Sequence, residues 1–405
     1  MAPGEVPPTA GLRPRWGDLL APSGGPTLEE AICKSVGLPD IEIVSTGTAA
    51  LLVAFTYLKR RHPRRNTVIV PGYTCPLVVI AAAAAGLQAA ACDTVAGGFD
   101  LDGAHLAHLI GDDTLALVPT HYGGVLTDIG RLRRAAAAAG GGEVPIIEDA
   151  AQAFGATWGG ASVGLAGDIG IFSFGAGKGF TLYEGGALVA RDGDVMAGLR
   201  AVARELASAS MVGELWRCAL LAGYHALYNP VGLRLVYGAG KRAALARGDD
   251  IGAAGDRFPM SIAVGGVGSW RKRVGLAALA RLEAHLARSR ARFRQLAERL
   301  SAIPGVHAHR PVASAVPSAT FLFATLPPGH RSAEVIRTLW RSRAGVAKLF
   351  ARAIGDYPDL RPLLRRSETP NARALADTTL TLTTHDALSP TAEAFILDTI
   401  MGGLS

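Results

Sequence analysis

Cysteine is scarce in this chain: four residues in 405, Cys33, Cys75, Cys92 and Cys218, stand far apart and form no C-x-x-C pair. That argues against a dense disulfide framework and against a zinc site, no metal centre is read from the sequence, and a reducing cytoplasm is the expected setting. The N-terminal stretch MAPGEVPPTAGLRPRW has neither a charged region leading into an apolar run nor a small-residue cleavage site, so no secretory signal is read there. A clean transmembrane run is lacking too. Charge of one sign is not concentrated: 41 basic and 34 acidic residues leave +7, but the arginines are spread along the chain, without a basic tail or interleaved aromatics. Nucleic-acid binding is therefore not indicated. The pI near 9.4 leans toward acidic ligands such as phosphorylated metabolites, although a composition rich in Arg and Ala reaches that value unaided.

What is present is a compact globular composition, with 49% hydrophobic residues and 50 glycines. The length suggests one large and one small domain, divided here as 1–260, with an N-terminal arm and an apolar insertion near 211–247, and 261–405. From about residue 41 to 192, strand-like apolar runs alternate with helix-like segments, the signature of parallel βαβ units and an α/β sheet. The expected strands are 41–44, 68–70, 115–118, 144–147, 169–174 and 185–190. Helices are expected at 49–61 and 76–85, the second with proline in its first turn, and between the third and fourth strands, capped by Thr127 or Asp128. Beyond 195 the pattern turns helical and Arg-rich, with a rigid helix expected over 274–300. Strand runs at 320–325 and 378–382 then suggest a smaller α+β domain.

Two charged residues fall at strand ends, Asp149 in PIIEDAAQAFGA and Lys178 in SFGAGKGFTLYEGG. Ligands of α/β sheets bind at the carboxyl ends of strands, so one crevice could hold both side chains. The glycines around Lys178 invite comparison with the phosphate loop G-x-x-x-x-G-K-[ST]. Phe172 stands at the first glycine position and Gly179 at the hydroxyl position, so the pattern fails. G-x-G-x-x-G fails at Phe180, which removes the main support for an NTPase or a Rossmann dehydrogenase. The turn Thr46-Gly47-Thr48, opening a helix, offers backbone N–H groups, a glycine and two hydroxyls to a phosphate; read alone, the two threonines could equally be helix caps. A lysine for a Schiff base, a carboxylate for a pyridine nitrogen and a phosphate cradle together suggest pyridoxal 5'-phosphate.

With those residues in place, the sequence resembles the DegT-type family of PLP-dependent nucleotide-sugar aminotransferases, in order over about residues 41–400. The matching stretches are STGTAAL, VPGYTCP, PTHYGG, IIEDAAQAFGA, GDIGIFSFGAGKGFTLYEGGALV and TLTLTTHDALS. The resemblance implies fold type I of the PLP-dependent transferases, a mainly parallel sheet flanked by helices with a smaller C-terminal α+β domain. It implies Asp149 at the pyridine nitrogen, Gln152 beside the ring, Ser173 on the phosphate and Lys178 as the Schiff-base lysine, with Gly47, Thr48 and Thr46 cradling the phosphate. It also implies a homodimer in which a partner residue reaches the cofactor phosphate. Arg257 stands at the position where the family has asparagine.

This chain departs from the family's pattern at several points. Cys75 replaces the aromatic residue that covers the cofactor ring, which leaves Tyr73 or another side chain to do so. Gly175 and Phe154 replace frequent polar or histidine residues, and Tyr183 replaces a glycine. The apolar stretch Glu214 to Arg242 lies outside the pattern. Its 16 residues between Arg217 and Arg234 fall short of the roughly 20 needed to span a bilayer, and Asn229-Pro230 interrupts it. A dimer interface is the favoured role for it, ahead of a cover for the active site or contact with a membrane surface.

The expected activity is transfer of an amino group, with L-glutamate as donor by the resemblance, to a keto sugar linked to a nucleotide. A cyclitol or lipid-linked ketone is an alternative acceptor. A PLP-dependent sugar dehydratase is disfavoured by Lys178, because related dehydratases have histidine there. A non-catalytic regulatory or assembly subunit of a polysaccharide pathway is the reading from another class.

Overall fold

The computed structural model describes residues 4–208 and 210–404. Its centre is a mixed sheet built from β1 (Glu42–Val44), β2 (Thr67–Pro71), β3 (Gln88–Cys92), β4 (Thr114–Leu117), β5 (Ile147–Asp149), β6 (Ile169–Ser173) and β7 (Gly186–Val189). Hydrogen-bonded pairing runs β3-β2-β4 in parallel on one side and β5-β6-β7-β1 on the other, and bridges from Leu117 to Ile146 and from Thr120 to Asp149 join the halves. Only β7 opposes its neighbours, pairing antiparallel with both β6 and β1. The short strand Leu364–Arg365 adds in parallel to β3.

Strands β2 to β5 are buried at every residue apart from Gln88, as expected where helices cover both faces of a parallel sheet. Helix α1 (Gly47–Arg61) packs Ala50, Val53, Ala54 and Phe55 into this core, and α2 (Pro76–Ala84) lies against it with proline in its first turn. The helix before β5 is capped by Asp128, which accepts from the Arg131 amide at 2.8 Å. Thr127, the other expected cap, instead donates to the Thr120 carbonyl.

Sequence and structure part at three elements. Strand β3 reads QAAAC, too poor in β-branched residues to be recognised by propensity, and is made by pairing with β2. The helix expected over 274–300 is two, Ser269–Leu279 and Leu282–Ser301, broken where Arg281 leaves helical geometry and pairs with Asp18. The expected strand at 144–147 is displaced to 147–149, since Pro145 cannot donate to a ladder.

Downstream, β8 (His307–Ala308), β9 (Phe321–Thr325), β10 (Val346–Ala347) and β11 (Thr379–Thr383) form an antiparallel sheet in the order β8-β9-β11-β10. It shares a core with helix residues Phe293, Leu296, Leu300, Leu339 and Ile396. The apolar stretch folds as α3 (Met211–Leu227), ended at Tyr228, then a short helix Pro230–Leu233 capped by Asn229, a π turn and α4 (Ala239–Ala246). Among the described residues no helix is long and apolar enough to cross a membrane.

The N-terminal arm laces these parts together. Glu5, fully buried, accepts from Lys241 at 2.8 Å and from Arg242, the Val6 amide donates to the Arg343 carbonyl, and the Ala10 amide donates to the Thr320 carbonyl.

Candidate active site

Asp149 ends β5, one strand from the loop that carries Lys178 beyond β6, and parallel pairing of these strands opens both carboxyl ends toward the same crevice. Asp149 is only 4% exposed, and its carboxylate accepts from the Ala151 amide at 3.1 Å. Burial raises the Asp149 carboxyl, opposed by that amide and by the nearby charge of Lys178. Burial pushes the Lys178 ammonium down, while Cys75 and Asp149 pull it back. The result is a lysine with more free amine than a surface lysine, facing a carboxylate of opposite charge.

Behind Asp149 stands a buried brace that the sequence reading did not assign. His121 Nδ1 accepts from the Thr127 amide, so Nε2 carries the proton and donates to Glu148 at 2.7 Å. Glu148 also accepts from the amides of Gly164 and Gly167. Burial works against its charge, but His121 and the two amides outweigh that and hold the carboxyl below its usual range. Glu148 and Asp149 point to opposite faces of β5, and the brace on one fixes the pose of the other. The signal was available: strand alternation places the glutamate of IIED opposite its aspartate, and PTHYGG supplies the histidine.

The residues expected to cradle a phosphate open α1. Thr46 caps the helix, accepting from the Ala49 amide at 2.9 Å, which is the cap role suggested for it. Gly47 and Thr48 follow in the first turn, where amides lack intrahelical partners and the helix dipole favours an anion. Ser173, at the end of β6, comes directly beside it: a Cβ on Gly47 would lie 2.9 Å from the Ser173 Cβ and 3.3 Å from its Oγ. On the other flank a Cβ on Gly186 would fall 2.2 Å from Thr46 backbone atoms.

The remaining expected residues separate. Gln152 is half-buried in the turn after β5, its carbonyl accepting from Ser318 at 3.0 Å. Cys75 caps α2 without a side-chain cap bond and lies within electrostatic reach of both Lys178 and Asp149, with burial pushing its thiol up to about 12. Tyr73, one of the side chains open to covering the ring in place of the family's aromatic, packs in an aromatic cluster with Phe99, Tyr122 and Phe350. It is 1% exposed there, and its hydroxyl accepts from the Phe350 amide. Its ring is already engaged, and of the two it is Cys75 that borders Lys178. Arg257 is 72% exposed and pairs with Asp249 at 3.0 Å within its own chain.

Two departures from the family pattern have physical settings. Phe154 packs against Phe172, Phe174 and Phe180, an apolar nest that a histidine would fill poorly. Tyr183 adopts φ 69°, the left-handed region where glycine is at ease and a bulky residue costs roughly 1 kcal/mol or more.

Residues 24–217 match the DegT/DnrJ/EryC1/StrS aminotransferase family. The chain is 37% identical over 151 residues to 3-amino-5-hydroxybenzoate synthase of Amycolatopsis mediterranei, covering 37% of this chain and 38% of that protein. It is 31% identical over 172 residues to GDP-perosamine synthase of Caulobacter vibrioides, covering 42% and 45%. The matched segments thus span less than half the length of either relative. The crystal structure of a sugar aminotransferase from Micromonospora echinospora superposes with a TM-score of 0.72 at 22% identity, over 98% of this chain and all of that one. The central sheet with its one opposed strand and the smaller antiparallel sheet are thus the fold of known sugar aminotransferases, and the match of residues 24–217 to the DegT/DnrJ/EryC1/StrS aminotransferase family falls on the part of the chain that carries the central sheet.

Proposed function

We propose that this protein is a pyridoxal-phosphate-dependent aminotransferase that moves an amino group from an amino acid, L-glutamate in the first instance, to a keto sugar, with a nucleotide-linked sugar as the expected acceptor. The observation that carries the reading is the meeting of Gly47 and Ser173 at a helix N-terminus, in the same chain as the electrostatically coupled pair Asp149 and Lys178. The cradle leaves no room for a side chain at position 47, its orphan amides suit a phosphate dianion, and the buried carboxylate suits a pyridinium. The residues fit the cofactor.

In this reading Thr46, Gly47, Thr48 and Ser173 hold the phosphate, Asp149 keeps the pyridine nitrogen protonated, Gln152 lies beside the ring, and Cys75 takes the place of an aromatic cover. Bound pyridoxal phosphate supplies an electron sink that stabilises negative charge at the substrate carbon. Lys178 would anchor the cofactor, and its Nζ would hold and move the proton at that carbon, a task helped by its lowered proton affinity. The His121–Glu148 brace keeps Asp149 in place through both halves of the exchange.

The protein works as a homodimer in the cytoplasm, its chain divided near residue 260. Met211, Val212, Leu215 and Trp216 are left exposed along one side of α3 and would be covered by the second copy. Arg257 is the candidate to reach the partner's phosphate on release from Asp249. A ring ketone without a nucleotide is a second reading, favoured by the similarity to a protein named 3-amino-5-hydroxybenzoate synthase. Borohydride reduction followed by peptide mapping tests the assignment: a pyridoxyl group on Lys178 supports it, and one on Lys241, Lys272 or Lys348 refutes it. Amination assays with nucleotide-linked and free ring ketones separate the two acceptors.

A further inference from the structure

Buried polar side-chain atoms normally find a partner, so those that do not call for a ligand or a water. In this protein three such atoms gather around residues 9–12 of the arm, next to the main chain of Lys178: the hydroxyls of Tyr224 and Tyr228 and Nε2 of His385. A Cβ on Gly11 would lie 2.9 Å from the Tyr228 hydroxyl, 3.2 Å from the Lys178 carbonyl oxygen and 3.6 Å from the Tyr224 hydroxyl. The two tyrosine rings are 4.6 Å apart, and the Tyr228 ring is 5.7 Å from that of His385. Tyr228 and His385 are more than nine-tenths buried. The tyrosine hydroxyls lie near each other and near Gly177 and Gly11, but in geometry that falls short of hydrogen bonds.

The protonation of these groups is set by their surroundings. His385 Nδ1 accepts from the Ala387 amide at 2.9 Å, so the unpartnered Nε2 carries a hydrogen and donates. Burial drives the imidazole down to about 4, and burial raises both phenols, so all three are neutral donors at physiological pH. Asp386 is held by Arg288 and Arg292, whereas the Arg13 guanidinium acts on both Tyr228 and His385. Converging neutral donors against the loop that carries Lys178 suit a ligand that presents acceptor oxygens.

We propose that Tyr224, Tyr228 and His385 form a substrate subsite for an oxygen-rich group, either the donor's carboxylate or the acceptor's ring hydroxyls. The apolar insertion thereby supplies binding residues on its inner face. This rests on the aminotransferase reading, because the group is placed relative to Lys178.

The test is calorimetric titration of the cofactor-loaded protein with two unreactive probes, glutarate for the carboxylate and myo-inositol for the hydroxyls, in wild type and in the double variant Tyr224→Phe/Tyr228→Phe. Losing two neutral hydrogen bonds should weaken one probe by about tenfold or more. A loss confined to glutarate assigns the subsite to the donor, and a loss confined to myo-inositol assigns it to the acceptor. Unchanged affinity for both, or no binding of either by the wild type, overturns the proposal. Reduction and mapping of the same samples keep the two ideas apart: pyridoxyl on Lys178 with unchanged probe affinities sinks the subsite alone, and its absence from Lys178 sinks the aminotransferase reading. Tyr228→Phe alone, with its melting temperature measured, serves if the double variant does not fold.

Discussion

Ser173 stands where a side chain on Gly47 would have to go, its Cβ 2.9 Å from the position such a group would take. Gly47→Ala would stabilise an ordinary helix. Here the methyl must displace Ser173 from the cradle, so the variant is expected to fold and to bind pyridoxal phosphate at least about tenfold more weakly, one lost charge-assisted contact. Equilibrium dialysis of the cofactor measures this, and affinity equal to wild type would dissociate Ser173 and Gly47 from the phosphate.

Lys178→Ala should give a folded protein with no covalent cofactor and no turnover. Asp149→Asn should retain some cofactor and lose at least about 100-fold in rate, because an amide does not hold the pyridinium proton. Absorbance at the violet edge of the visible reports the first variant and single-turnover kinetics the second. Near-normal turnover by Asp149→Asn would remove the electron-sink role.

Acid should unfold the protein partly through two histidines. Burial lowers His385 from 6.5 to about 4 and His309 from 6.5 to about 3, so across that range the unfolded chain binds more protons than the native one. Their contribution is fully present above pH 6.5 and is lost as pH falls through the native values, amounting to a few kcal/mol each at most. Urea titrations from pH 7 to pH 4 should show stability declining, less steeply in His309→Gln. An equal slope in that variant would place the acid sensitivity elsewhere.

Trp216 is 65% exposed on the outer side of α3. If the second copy covers it, Trp216→Ala should raise the dimer dissociation constant by about tenfold or more, as for an aromatic anchor at an interface, and sedimentation velocity reads the change. Salt-sensitive co-sedimentation of the intact dimer with anionic vesicles would assign that face to a membrane surface instead.

The chemistry was legible where local sequence carries its own geometry: a capped glycine turn, a buried strand ending in Asp149 and a glycine-bounded loop around Lys178. What escaped is what only packing decides. The alanines of β3 become a strand because β2 and Leu364–Arg365 flank them, and Tyr73 packs among Phe99, Tyr122 and Phe350. The inward tyrosines of α3 could not be told from its outward apolar residues without knowing that the arm at Gly11 passes beneath them.

The opposed strand β7 touches the helix-opening turn through the bare backbone of Gly186, where a Cβ would lie 2.2 Å from Thr46 backbone atoms and no side chain fits. A side chain there would have to push Thr46 and Gly47 aside, so any replacement shifts the start of α1. Changes that retune substrate choice are expected elsewhere, as on the helical 211–247 insertion, which contributes no strand to either sheet.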